Sequence, residues 1–232
     1  KYLDEILNMG DECVKRAGTS DFEVITKFLL LMGEVLKEKA MLNENPSLQK
    51  ENILKARQTL EKAIKSASGK GLENYYLGIA YRHYAVTYEL ESDLLNDAKE
   101  REKCIEKWKN YSLSSNDRLK EYNENTVRGY ATMNIAASNV ALLQLHTNKQ
   151  FKKDLIDEGL EFLEYSIKLH SGMDEYRGVA WSNIHKCKLL RFKIINSIHE
   201  KQSIKALVDE MEESANIAVK NILRTDDLLG KG

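Results

Sequence analysis

Apolar residues recur along the chain at intervals of three and four, the spacing that lines one face of an α-helix. Residues 2–17 carry Tyr2, Leu3, Ile6, Leu7, Met9, Cys13 and Val14 in that pattern and run into Gly18, suited to a left-handed helix cap. Thr19-Ser20-Asp21 offers N-caps for a second helix to about Leu42, and Asn43-Glu44-Asn45-Pro46 breaks it. A third helix, about 47–67, has Leu48, Ile53, Leu54, Leu60, Ala63 and Ile64 as its stripe, and Ser68-Gly69-Lys70-Gly71 reads as a turn. The fourth helix spans about 72–90. The fifth, about 93–111, starts at Ser92 or Asp93 and buries Leu94, Leu95, Ala98, Cys104, Ile105 and Trp108. Ser114-Ser115-Asn116-Asp117 reads as the cap cluster of a long sixth helix to about His146, with an interruption near Asn123-Glu124-Asn125 left open. Thr147-Asn148-Lys149 turns into a seventh helix, about 150–170, which Ser171-Gly172 ends; an eighth covers about 173–198 and a ninth about 201–224.

Laid over this pattern is a recurrence of small residues. Gly78-Ile79-Ala80-Tyr81 returns as Gly178-Val179-Ala180-Trp181, and Arg128-Gly129-Tyr130-Ala131 is echoed by Arg177-Gly178-Val179-Ala180, with a weaker echo at Gly33-Glu34-Val35-Leu36. The glycines at 33, 78, 129 and 178 are 45, 51 and 49 residues apart. A glycine inside a helix costs roughly 1 kcal/mol against alanine, so four in register imply close backbone approach. Each glycine-bearing helix is followed by a partner with shared text: Glu61-Lys62-Ala63-Ile64, Glu102-Lys103-Cys104-Ile105, Glu164-Tyr165-Ser166-Ile167 and, loosely, Glu212-Glu213-Ser214-Ala215. The unit is a helix hairpin with a small contact on each arm.

These residues resemble the tetratricopeptide repeat. Leu77-Gly78 with Tyr81 is similar to that family's first-helix Leu-Gly-x-x-Tyr, while Ala56, Leu60, Ala63 and Gly159, Leu163, Ser166 keep its second-helix small-large-small spacing. The repeats are degenerate: the units are longer than the family's and lack its terminal proline. The resemblance implies an all-α right-handed superhelix of about nine antiparallel helices. Its parts would be an N-terminal helix at 1–18, hairpins at about 20–68, 72–111, 114–170 and 173–225, and a flexible tail at 226–232. The alternative is a closed helical bundle, which would pack the first and last helices together.

Composition agrees with the class. With 232 residues, 42% hydrophobic and 31% charged, the chain can bury a sizeable core, and its single proline and Lys/Glu/Leu/Ala-rich text favour helix. A formal charge of −1 gives no bulk reason to seek nucleic acid. Basic text at Lys55-Arg57-Lys62-Lys65-Lys70 and Lys186-Lys188-Arg191-Lys193 is read as solvated helix face. Cys13, Cys104 and Cys187 are far apart and odd in number, pointing to reduced thiols and a cytoplasmic setting. No run has the ~18 apolar residues of a membrane span. Residue 1 is Lys, so the chain is expected to be a piece of a longer protein.

Catalytic patterns are missing. His83, His146, His170, His185 and His199 fall in no His-Glu-x-x-His or Glu-x-x-His ligand pattern, no Gly-x-Ser-x-Gly or phosphate-binding loop occurs, and Gly69-Lys70-Gly71 follows a helix instead of a strand. Neither an enzyme nor a cofactor or metal is expected.

Binding is the better expectation. In the resembled family the first helix of each hairpin lines a concave groove, and the corresponding positions here are Lys37, Glu38, Tyr75, Arg82, His83, Thr126, Tyr130, Asn134, Glu175 and Asn183. Asn134 and Asn183 occupy equivalent places, so their amides would hold an extended peptide backbone as a ladder while tyrosines supply rigid contact. The family's chaperone-tail clamp is not expected, because Lys27 is followed four residues on by Leu31. The expected function is a non-catalytic protein- or peptide-binding module, the sensor or scaffold of a regulator. The alternatives are a helical enzyme or nucleotide-binding domain with an interhelical pocket near Tyr81, Arg82, His83 and Glu89, and a subunit that homodimerises through helix one or nine.

Overall fold

The computed structural model describes residues 2–17, 21–67, 73–122, 124–197 and 204–229, and the described residues are all-α. The nine helices among them are α1 (Tyr2–Ala17), α2 (Phe22–Met41), α3 (Pro46–Ala67), α4 (Glu73–Asp93), α5 (Ala98–Leu119), α6 (Asn125–Leu145), α7 (Lys149–Ser171), α8 (Tyr176–Ser197) and α9 (Ile204–Leu229). The caps expected of Gly18 and Thr19-Ser20, the turn at Ser68-Gly69-Lys70-Gly71, Asn123, His199 and the last three residues lie outside the described residues.

Starts and stops follow local chemistry. Asp21 caps α2 by accepting from the Val24 amide, and the Asn148 side chain accepts from Phe151 at the head of α7. Pro46 opens α3, where a missing amide hydrogen costs nothing, and Asn45 accepts from the Ser47 amide beside it. Helix α5 departs from the sequence reading. It is capped by Asp97, not Ser92 or Asp93, and runs through the Ser114–Asp117 cluster to Leu119. The serines there do not cap; Ser112 donates to the Trp108 carbonyl and Ser115 to the Gly78 carbonyl across the hairpin. Helix α9 likewise continues to Leu229, past the point where a tail was expected, because no glycine or proline intervenes before it. Helix α7 ends at Ser171 with Gly172 as its cap, as the sequence indicates; Gly172 is right-handed and Asp174 takes the left-handed conformation at φ 53°.

The chain forms two compact units, Lys1–Asn123 and Glu124–Gly232. In the first, α1 packs on α2, the pairs α2–α3 and α4–α5 form hairpins, and α4 also contacts α2 and α3. In the second, α6–α7 and α8–α9 form hairpins and α8 contacts α6 and α7. Both units therefore set the first helix of one hairpin against both helices of the preceding one.

The repeat glycines sit in these crossings. A Cβ on Gly33 would fall 2.7 Å from the Leu60 side chain, one on Gly78 inside that of Leu119, and one on Gly129 2.6 Å from the His170 ring. A serine accompanies two of them: Ser115 donates to the Gly78 carbonyl at 2.6 Å and Ser166 to the Gly129 carbonyl at 2.7 Å. In both hairpins the bulky partner, Leu119 or His170, follows that serine by four residues. The shared text had matched Cys104 with Ser166; the geometry matches Ser115, three helical turns further along. The α3 stripe is also shifted: Ile53, Ala56, Leu60, Ala63 and Ala67 are buried, while Leu48 and Leu54 flank that face and are exposed.

Candidate functional site

The second unit has a trough of about 590 Å³ with α8 as its floor and α7 and α9 as its walls. Helix α7 contributes Glu164, Ile167 and Ser171, and the following turn Asp174 and Glu175. The floor is Tyr176, Val179, Asn183 and Lys186, which recur at three or four residues and so share one helix face. From α9 come Glu210, Glu213, Ser214, Ile217, Asn221 and Arg224, again one face. The lining mixes apolar Ile167, Val179 and Ile217 with buried Asn183, Ser214 and Asn221 and with charged side chains. Lys186 pairs with Glu210 at 2.8 Å, and the Arg224 guanidinium lies 5.2 Å from the Tyr176 ring centre.

Of the residues read from sequence, Glu175 and Asn183 line this trough, and the Tyr130 hydroxyl donates to Glu175 at 3.2 Å. The Tyr130 ring in turn meets His170 edge-on at 4.6 Å. Thr126 is half-buried on α6 outside the trough. Asn134 and Asn183 are 5% and 2% exposed, and the Asn183 amide nitrogen donates to its own helix at the Val179 carbonyl. A ladder of two free amides is therefore not displayed; at Asn183 the carbonyl end is the one its own helix leaves unengaged.

In the first unit, Arg82 lies 3.9 Å from Glu34, while Lys37 is buried and bonds Glu38 at 2.9 Å. His83 is buried beside them, and burial, with the Arg82 and Lys37 charges, holds its pKa well below the usual histidine value. Tyr75 meets Tyr76 and Tyr122 edge-on. The sequence did not indicate the aromatic cluster between α4 and α5: Tyr111 packs against Tyr81, Tyr84 and Tyr88, and Arg57 of α3 sits 3.7 Å over the Tyr88 ring. Arg57 also bonds Thr87 and pairs with Glu91 at 2.8 Å, so this piece of the basic text is structural. Beside it, burial and Glu91 push the Cys104 thiol up to about 12.

His170 is the residue whose surroundings the sequence hid. It is wholly buried between Gly129 and Gly178; at the equivalent place the first unit has Leu119 against Gly78. Among the described residues no three His, Cys, Asp or Glu side chains group around a common metal position, and no helix is long and apolar enough to cross a membrane.

No family model and no curated protein matches the chain. Among solved structures it is similar to a chain from "Computational Design of Self-Assembling Cyclic Protein Homooligomers", at 14% identity and a TM-score of 0.33 over 97% of each chain. That likeness is too slight to bear on fold or function.

Proposed function

We infer that the protein is a non-catalytic binding module, tetratricopeptide-like in its stacked hairpins, which takes a peptide or a partner's segment in the trough over α8. The observation that carries this reading is the trough itself: an open cleft that combines apolar Ile167, Val179 and Ile217 with polar and charged side chains, the form of site that recognises an extended guest. Its walls belong to successive hairpins, α7 to one and α8–α9 to the next. An occupant bridges them, and its binding energy biases their relative setting by whatever difference in affinity the two settings have. That is how such a module would serve as the sensor or scaffold of a regulator.

The experiment is selection of displayed random peptides on the chain, followed by affinity measurement against Ile217→Trp. Ile217 is 36% exposed on the α9 wall, so the larger ring fills the trough without entering the core. Selected peptides should lose about tenfold or more in affinity, roughly 1.4 kcal/mol, while the thermal melt is unchanged. Equal binding to both proteins would refute the trough as the site.

A second reading, a homodimer through α9, is favoured by Val219, Ile222 and Leu223, which are exposed on that helix. Light scattering tests it directly: a monomeric mass at micromolar concentration would exclude it.

A further inference from the structure

The trough has a chemical polarity that its shape does not announce. Asn183 and Asn221 are 2% and 9% exposed, and each gives its amide nitrogen to the carbonyl four residues back, at Val179 (2.9 Å) and Ile217 (2.8 Å). Only the NH₂ end of an amide can donate to a carbonyl, so the orientation is fixed and each Oδ1 is the end left over. Neither oxygen has a hydrogen-bond partner among the described residues, nor has the hydroxyl of Ser214, which is 3% exposed on the same lining. None of the three is among the buried polar atoms left without a partner, so each reaches the water of the trough, where the two amide oxygens accept and the hydroxyl both donates and accepts. An occupant that displaces this water without donating would leave the acceptors unpaired at a cost of about 1–3 kcal/mol each, so the lining selects for a group that donates.

Charge points the same way. Five carboxylates line the trough against two cations, and the cations are engaged, Lys186 by Glu210 and Arg224 at the Tyr176 ring. Glu164, Asp174 and Glu213 have no ion pair among the described residues. Between rim and acceptors runs the apolar strip of Ile167, Val179 and Ile217. An aliphatic stem ending in several N–H donors and a positive charge matches all three features, which describes an arginine or lysine side chain. The α9 face from Glu210 to Arg224 is about 21 Å long at ~1.5 Å per residue, room for about six extended residues at ~3.4 Å each.

We propose that the trough over α8 takes an extended, arginine- or lysine-bearing segment of a partner protein, whose cationic groups donate to Asn183, Asn221 and Ser214 inside a rim of Glu164, Asp174 and Glu213. This rests on the trough being the binding site, and the test keeps the two apart. Fluorescein-labelled Gly-Arg-Gly-Arg-Gly-Arg-Gly and its glutamine and glutamate counterparts are titrated by anisotropy against the wild-type chain, Glu164→Gln/Glu213→Gln, Ser214→Ala and Ile217→Trp, with spermidine as competitor. The arginine peptide should bind about tenfold or more tighter than the glutamine one, weaken with added salt, and lose several-fold in affinity in the double glutamine variant and in Ser214→Ala. Arginine and glutamine peptides binding alike, yet both blocked by Ile217→Trp, would overturn the cationic assignment and leave the trough. Spermidine binding as tightly as the arginine peptide would overturn the peptide as occupant. No binding by any of the peptides, in agreement with an empty peptide selection, would overturn both.

Discussion

Placing a methyl group on Gly178 should destabilise the second unit only while His170 is present. A Cβ there falls 2.5 Å from the ring's Cε1 and Cγ, well inside contact distance. The ring cannot slide away, because Gly129 closes on its other side and the Tyr130 ring meets its edge. Overpacking of this kind costs about 1–3 kcal/mol. Against it stands the gain of about 1 kcal/mol from replacing a mid-helix glycine with alanine. The net loss for Gly178→Ala is therefore about 1 kcal/mol. In a His170→Ala background the ring is gone, only the propensity gain remains, and the same substitution should stabilise by about 1 kcal/mol. The sign reverses, and the coupling between the two positions is about 2 kcal/mol, at the level expected of directly touching residues. Urea melts of the four proteins followed by circular dichroism, with the m-values compared, measure each corner of the cycle. Equal effects of Gly178→Ala in both backgrounds, with coupling below about 0.5 kcal/mol, would refute the claim that these glycines exist to admit a neighbouring side chain.

Three further outcomes are expected. His185 is held down to about 4 by burial and by the Lys188 charge, so below pH 6.5 the unfolded chain takes up a proton that the folded one refuses. Stability should therefore fall as pH drops from about 6.5 to 4, by on the order of 3 kcal/mol in full; His185→Gln should flatten urea midpoints over that window, and an unflattened profile would contradict the assignment. Cys104, buried and with its thiol pushed up to about 12, should resist a disulfide reagent at pH 8 that titrates the half-buried Cys13, and react only on unfolding. Ser115→Ala and Ser166→Ala remove equivalent buried hydrogen bonds to glycine carbonyls, and each should cost about 1 kcal/mol in denaturant titration; a neutral result at both would remove the serine as a part of the repeat.

The glycine register was legible because it is a backbone property: a small residue where helices cross is required whatever the neighbours are, and all four repeat glycines are buried. Helix type and number were legible for the same kind of local reason. What failed was the reading of Ser114–Asp117. Residues that cap helices also serve inside them when a carbonyl is within reach, and Ser112 and Ser115 bond Trp108 and Gly78. The second-helix register failed with it, since Cys104 and Ser115 are both small residues on α5. The site was half legible. Glu175 and Asn183 followed from counting from Gly178, but the α9 wall of Ser214, Ile217 and Asn221 did not, because the resembled family assigns its groove to first helices alone. The spacing of those three residues at three and four was the available signal. His170 had none, because its surroundings, Gly129, Tyr130 and Gly178, come from two other helices.

The most direct measurement is an NMR titration of the isotope-labelled chain with the arginine peptide, with the affected backbone amides assigned. Binding in the trough predicts shifts concentrated at Ile167, Val179, Asn183, Ser214, Ile217 and Asn221, with α1 to α5 unchanged. Shifts centred instead on Tyr75, Arg82 and His83, or spread evenly over the surface lysines and glutamates, would contradict it.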